Sequence, residues 1–299
     1  MNSGIWKYAD KLKKVDSRNW CSLDEGNTTL SSYDGISIKR EDLNPTGSYK
    51  DRGASYRISV AKQNGENELV VTSTGNFAVS MATYGQKFGV KIILFVPSNI
   101  SEEKRAILAK SDAVVYEVEK PILQAQKYAE QNNISYVRQS LDLDVLEGFK
   151  TLMLEILESK IDFDYIVFPA SSGSLLLSSY QVLVEQKTIK IPKLIAVQTS
   201  YNTYIAREFY TDYEKSQHPS IASSLNVKVR PVNLQEVVDA IKHTNGSAIV
   251  VDEQDIISTK DLLWNNNIKV GYESSACFFA VKKMNLKGNV LVISTGVLR

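Results

Sequence analysis

Residues 44–53, NPTGSYKDRG, place one lysine, Lys50, between a turn and a helix start, where an amine can be a reagent rather than a solubilising charge. The turn is specified locally. Asn44-Pro45 favours extended backbone before the proline, Gly47 supplies conformational freedom, and Ser48 can cap a helix expected over 53–63. An amine held there becomes a nucleophile toward a carbonyl when burial and nearby cations lower its pKa, and Arg52 is one such cation. The commonest carbonyl partner of such a lysine is pyridoxal phosphate. On these ten residues alone, a solvated charge cluster of Lys50, Asp51 and Arg52 at a helix N-terminus is an equal reading.

Two further loops offer donors. Ser73, Thr74, Gly75 and Asn76 (STGN) lead into a helix expected over 77–88, with Phe77, Met81 and Tyr84 on one face. Backbone N–H groups there, with the Ser73, Thr74 and Asn76 side chains, can cradle a carboxylate or another anion. Taken alone, ordinary N-capping is the better explanation of the loop. The turn PASSGSLLLSS brings Ser171, Ser172, Gly173 and Ser174 to another helix start, where N–H groups and hydroxyls can hold a phosphate dianion by dipoles alone. With one glycine it is a weak phosphate signature by itself.

The elements that must position these loops alternate along the chain. Strands are expected over 36–39, 69–72, 90–96, 113–118, 134–137, 164–168, 194–197, 248–251 and 290–293. Helices are expected over 8–14, 101–110, 121–131, 147–158, 173–185, 203–209, 234–243, 253–264 and 274–284. Residues 22–30 read as a polar loop, and 216–233 as the longest irregular piece, a surface or active-site loop. Strand, helix, strand at this spacing means parallel sheet, and the serine-rich turn falls after a strand's C-terminal end, where a doubly wound fold binds ligands.

Composition narrows the function. The 299 residues, 43% hydrophobic, suffice for two domains or one large α/β unit. Thirty-five Lys and Arg against 34 Asp and Glu leave a net charge of +1, so no basic field points to nucleic acid. Cys21 and Cys277 stand alone, and His218 and His243 are the only histidines, which argues against a zinc site, a disulfide scaffold or a histidine-based triad. The start MNSGIWKYADKLKK has no apolar leader and no apolar run approaches ~18 residues, so the expectation is a cytoplasmic chain without a membrane span.

With WKYAD, SLDEGNTTL, KREDLNPTGSYKDRG, STGNFAVSMATYG, LEGFKT, PASSGS, SIASSLNV, YESSA and a terminal ISTG in that order, the chain resembles the fold-type II pyridoxal-phosphate enzymes, the tryptophan synthase β-subunit superfamily. Within it the resemblance is to threonine synthase. It implies a two-domain α/β fold of open, mostly parallel sheets flanked by helices, with a small domain, 54–142, inserted in a large one made of 1–53 and 143–299. It also implies pyridoxal 5'-phosphate as cofactor, a small amino-acid substrate and a homodimer. By that similarity Lys50 carries the cofactor and is the catalytic residue, Asn76 bonds the phenolic oxygen, Ser171, Ser172, Gly173, Ser174 and Leu175 hold the phosphate, and Thr295 faces the pyridine nitrogen. The substrate side falls to Ser73, Thr74, Gly75, Phe77, Gln139 and Val145.

The expected reaction is elimination or replacement at the β or γ carbon. A hydroxyl rather than a carboxylate beside the ring nitrogen favours that over transamination. A β-replacing synthase, a hydroxy-amino-acid dehydratase and a non-catalytic cofactor-binding paralogue are the alternatives. The chain departs from the family where glycines are usual in the phosphate turn, at Ser171 and Ser174, and where Gln139 and Val145 replace an asparagine and an arginine that serve a substrate phosphate. Phe77 replaces a small hydroxyl residue, and Asp142 and Asp144 add negative charge nearby. O-phosphohomoserine is therefore not expected to be the best substrate, with Lys150 and Arg52 as the cations that could offset this.

Overall fold

A computed structural model of the chain describes residues 4–73, 75–98, 100–186 and 190–297. In order come β1 (Leu30–Tyr33), β2 (Ile36–Arg40), α1 (Lys50–Gln63), β3 (Glu68–Thr72), α2 (Asn76–Phe88), β4 (Lys91–Pro97), α3 (Glu102–Leu108), β5 (Val114–Val118), α4 (Pro121–Asn132) and β6 (Ser135–Arg138). Then follow α5 (Leu143–Glu158), β7 (Tyr165–Pro169), α6 (Ser174–Glu185), β8 (Lys193–Thr199), α7 (Leu234–His243), β9 (Ser247–Val251), α8 (Glu253–Asn265), α9 (Tyr272–Lys283) and β10 (Val290–Ser294). The fold is α/β with mostly parallel sheets. It divides into two compact units, one of Met1–Asn27 and Asn44–Leu152, the other of Thr28–Leu43 and Met153–Leu298.

The first unit holds a four-stranded sheet in the order β5-β4-β3-β6, every pair parallel. Its inner strand β4, KIILFVP, is buried continuously from Ile92 to Val96, as a parallel strand covered on both faces must be. Val70, Ile93, Phe95, Ala125 and Ala129 form a core on one face, with Tyr128 packed against it. From β3 the chain steps to β4 on one side, while β6 pairs on the other, so the order reverses beside β3. Crevices for ligands form at such a switch point, at the carboxyl ends of the strands. Thr72 is the register partner of Arg138, so the STGN loop and Gln139 leave the sheet side by side.

The second unit holds six strands in the order β1-β2-β10-β7-β8-β9, parallel except for the β1–β2 hairpin. Asp34 and Gly35, with φ of 52° and 74°, close that hairpin in the left-handed conformation its two-residue turn requires. The switch lies between β7 and β10, where Val167 and Val292 are register partners. Ala170 and Thr295, each three residues further on, therefore leave the sheet at one end. The PASSGS turn begins there.

The elements differ from expectation in several places. Helix α1 starts at Lys50, because the Asp51 carboxylate takes Thr46 N and Oγ1 at 2.6 and 2.5 Å and winds the turn directly into the helix. Residues 203–209 form only a 3-10 turn, Ala206–Glu208, whose preceding N–H groups at Ile205 and Ala206 are held by the buried Gln198 carboxamide. The N-terminal helix is likewise 3-10, Gly4–Lys11, and the polar 22–30 loop ends in strand β1. Among the described residues no helix is long and apolar enough to cross a membrane, and no group of three His, Cys, Asp or Glu could hold a metal ion.

Candidate active site

In the first unit, Lys50 is the first residue of α1 and half-buried. Its Nζ donates to Tyr49 Oη and lies 3.9 Å from the centre of the Tyr49 ring and 5.4 Å from that of Phe149. The two rings pack on each other at 4.8 Å. Burial in this aromatic cup drives the Lys50 pKa well below the ordinary lysine value, because the charged ammonium loses its hydration. Burial thereby favours the neutral, nucleophilic form of the amine. Burial also pushes the Tyr49 hydroxyl up, opposed by a hydrogen bond with Gln139. A chain of contacts thus runs from Lys50 through Tyr49 to Gln139, at the sheet edge where STGN emerges.

Arg52 does not act on Lys50 as the sequence suggested. Burial is the cause of the lysine's shift, and the fully buried guanidinium directs Nη1 to Thr151 Oγ1 at 3.2 Å. Two glycines set the floor of the cup. A Cβ on Gly148 of α5 would stand 2.3 Å from Arg52 O, and one on Gly53 would stand 2.7 Å from Phe149 Cε1 and 2.8 Å from Val145 Cγ1. The side chain of Val145 is buried against α1 at this crossing.

Asp142 caps α5 by accepting from Asp144 N and Val145 N at 3.0 and 2.9 Å, and its other oxygen pairs with Arg57 Nε at 3.3 Å. Arg57 also pairs with Glu66 at 2.8 Å. Lys150 pairs with Glu147 at 3.1 Å.

The STGN loop opens α2. Ser73 Oγ accepts from Gly75 N at 3.3 Å, and Gly75 stands at the N-cap, where no side chain caps the helix. Thr74 lies outside the described residues. Asn76 is half-buried, whereas Phe77 is 1% exposed and belongs to the core face of α2. Asp51 ties the Lys50 turn to this helix: Ser80 Oγ bonds Asp51 Oδ1 at 2.6 Å and lies 3.0 Å from Asn76 O. A cation that the sequence reading missed, Lys104 of α3, brings Nζ within 3.9 Å of where a Cβ on Gly75 would be. No spacing signal links residues 75 and 104.

In the second unit, Ser171, Ser172 and Gly173 turn the chain from β7 into α6. Gly173 has φ +80°, and a Cβ there would stand 2.6 Å from Val237 Cγ1, so only glycine fits. No side chain caps α6, which leaves the first-turn N–H groups, those of Ser174 and Leu175 among them, open to an anion. Ser172 Oγ and Ser174 Oγ lie 2.8 Å apart across the turn. Thr295, 8% exposed, follows β10 at the same sheet end, next to Ser294, whose Oγ accepts from Ser274 at 3.1 Å.

A half-buried lysine whose neutral form burial favours, in the first unit, and an uncapped helix start with an obligatory glycine, in the second, are each parts that a phosphorylated aldehyde can use. Residues 21–296 match the family model described as pyridoxal-phosphate dependent enzyme. The chain belongs to that family. Its cofactor is pyridoxal 5'-phosphate, and the residues present fit it. This pyridoxal-phosphate enzyme is similar to the threonine synthase of Methanosarcina acetivorans, 28% identical over 330 residues that take in 98% of this chain and 79% of that one.

Among solved structures, threonine deaminase isoform 2 from Solanum lycopersicum, in its processed form, superposes with a TM-score of 0.80 at 16% identity, covering 100% of this chain and 87% of that one. O-acetylserine dependent cystathionine beta-synthase from Helicobacter pylori gives 0.76 at 22%, covering 91% and 93%. At those identities the two structures speak for the fold.

Proposed function

We propose that this chain is a threonine synthase-like pyridoxal-phosphate enzyme acting by elimination or replacement at the β or γ carbon of an amino acid. The observation that carries the reading is the Lys50 amine, held in a cup of Tyr49 and Phe149 next to the STGN edge, where burial lowers its pKa. The bound cofactor supplies an electron-withdrawing ring that acidifies the substrate's α carbon.

The chain's own residues do the rest. Lys50 would hold the cofactor's aldehyde carbon, and its Nζ would serve as the base toward the α proton. Ser73 and Gly75, just ahead of α2, would receive the substrate carboxylate and orient the α C–H bond, a role the sequence extends to Thr74. Asn76 would bond the cofactor's phenolic oxygen, and Ser171 to Leu175 would hold its phosphate. Thr295 would offer the ring nitrogen a neutral hydroxyl, which would favour the unprotonated ring and disfavour transamination. Gln139 holds Tyr49, and through it Lys50.

The leaving group is the finer question. The expectation against O-phosphohomoserine drew on Phe77, Val145, Asp142 and Asp144. Phe77 and Val145 are core residues, and Asp142 is occupied with α5 and Arg57. Lys104 beside Gly75 supports an anionic group on the substrate instead.

The test is a panel of O-phosphohomoserine, O-acetylserine, serine and threonine, with the absorbance of the loaded protein followed and products assayed. Borohydride should fix the cofactor to Lys50, and Lys50→Ala should lose both the label and turnover. A label on another lysine sinks the reading. A kcat/KM of ~10⁴ M⁻¹s⁻¹ or more on O-phosphohomoserine assigns the threonine synthase reaction itself.

A further inference from the structure

We propose that Asn202 is a positioning residue for the cofactor's phosphate: its carboxamide clamps the turn that opens α6 to the 220–226 segment. The inference rests on the functional reading above, and it concerns a residue outside the turn. Asn202 is fully buried just beyond β8, its backbone N donating to Thr199 O at 2.9 Å. Its Nδ2 uses both protons on main-chain carbonyls of two separate segments, Ser171 O at 3.0 Å and Leu225 O at 2.9 Å.

The second of those segments is a fixed post. Asn226 closes it by accepting from Ser220 N at 3.0 Å and donating to Ser220 O at 2.9 Å. Glu253 of α8 holds Ile221 N at 2.8 Å, and Glu273 of α9 holds Ser224 N and Oγ at 3.1 and 2.7 Å.

The geometry of the peptide unit gives the clamp its effect. In a planar trans peptide the C=O and N–H point in opposite directions. Anchoring Ser171 O toward Asn202 therefore turns the N–H of Ser172 the other way, away from the clamp. A phosphate turn with a single glycine has little freedom to orient its own N–H groups, and here a neighbouring amide does it.

The amide orientation is set by the network, since the flipped form would face Oδ1 to two carbonyls. Among the described residues Asn202 Oδ1 has no hydrogen-bond partner, so the contacts of the carboxamide run through Nδ2 to the two carbonyls.

The test uses the full chain with Asn202→Asp, which keeps the shape and removes both donors, and Asn202→Ser, which retains a single donor, as the variant to measure if the first fails to fold. Affinity for pyridoxal phosphate and for pyridoxal, which lacks the phosphate, is read by absorbance titration. The phosphorus NMR signal of the saturated protein is recorded, with the melting temperature of the cofactor-free form as control.

The expected result is a loss of about tenfold in pyridoxal-phosphate affinity, the order of one or two hydrogen bonds, with a shifted phosphorus resonance and pyridoxal affinity unchanged. Equal losses for both ligands, or wild-type affinity and resonance in a folded variant, would overturn the clamp and leave the functional reading standing. Wild-type protein that binds no pyridoxal phosphate would overturn both.

Discussion

Gly148→Ala puts a number on the crossing beneath Lys50. The added Cβ would stand 2.3 Å from Arg52 O and 2.9 Å from both Arg52 C and Gly53 Cα, all backbone atoms that no rotamer change can move. A carbon beside a carbonyl oxygen settles at about 3.3 Å or more, so α5 must back away from α1 by roughly 1 Å. Overpacking of this kind costs about 1–3 kcal/mol, against a gain of about 0.5–1 kcal/mol for alanine over glycine in a helix. The net loss is about 1–2 kcal/mol, a drop of several degrees in melting temperature for a chain of this size.

The functional effect of Gly148→Ala should be larger. Phe149, the next residue, forms one wall of the cup, and a misplacement of about 1 Å near a reacting group can cost on the order of 100-fold in rate. Gly53→Ala is the control. Its Cβ meets mainly the side chains of Phe149 and Val145, which can give way, so the loss should be smaller. Thermal melts by circular dichroism, with kcat on the best substrate of the panel, decide the matter. A Gly148→Ala protein that melts at or above the wild-type temperature, as helix propensity alone would have it, refutes the argument.

Three further outcomes are expected. Thr295→Asp should protonate the ring nitrogen and raise transamination products; an unchanged spectrum and product distribution would speak against Thr295 in that role. The Asp51 carboxyl is raised by burial from the ordinary 3.8 to about 6, so between those values the folded chain keeps a proton the unfolded chain has released, and the residue costs increasing stability as pH rises through that window. Asp51→Asn should therefore gain on wild type by on the order of 2–3 kcal/mol from about pH 4 to about pH 7 in urea unfolding, and a pH-independent difference would contradict this. Asp142→Ala should lose a helix cap, about 1 kcal/mol, and more through the Arg57 pair; a folded variant with markedly better turnover of a phosphorylated substrate would show that Asp142 faces the pocket after all.

Features carried by neighbours in the chain were legible in the residue order. The alternation of apolar runs and amphipathic stretches marked the parallel sheets, and glycine with hydroxyl residues after β3 and β7 marked both anion loops. Lys50 was legible for the same reason, since proline, glycine and serine just before it declare a turn. Of the two causes expected for its lowered pKa, burial is the one the structure gives, and the neighbouring cation is not. Arg52 is adjacent in sequence, but one turn of helix points successive side chains in different directions, and the residue that encloses the amine, Phe149, comes from α5, far along the chain. Tyr49 was adjacent and overlooked, because an aromatic next to a lysine says nothing until a second ring closes over it.

Asp142 was misread although the signal was local: an acidic residue just ahead of the amphipathic run of α5 is a cap before it is a pocket charge. Lys104 and Asn202 carried no such signal. Each is a single polar side chain reaching a loop on another element, and the strand order that brings those loops together is a property of the sheet rather than of any stretch of sequence. The turns proposed to hold the cofactor were thus written in the local sequence, whereas the side chains packed on them come from elements that only the completed sheets bring there, and Asn202 and Gly148 are where substitution should separate the two.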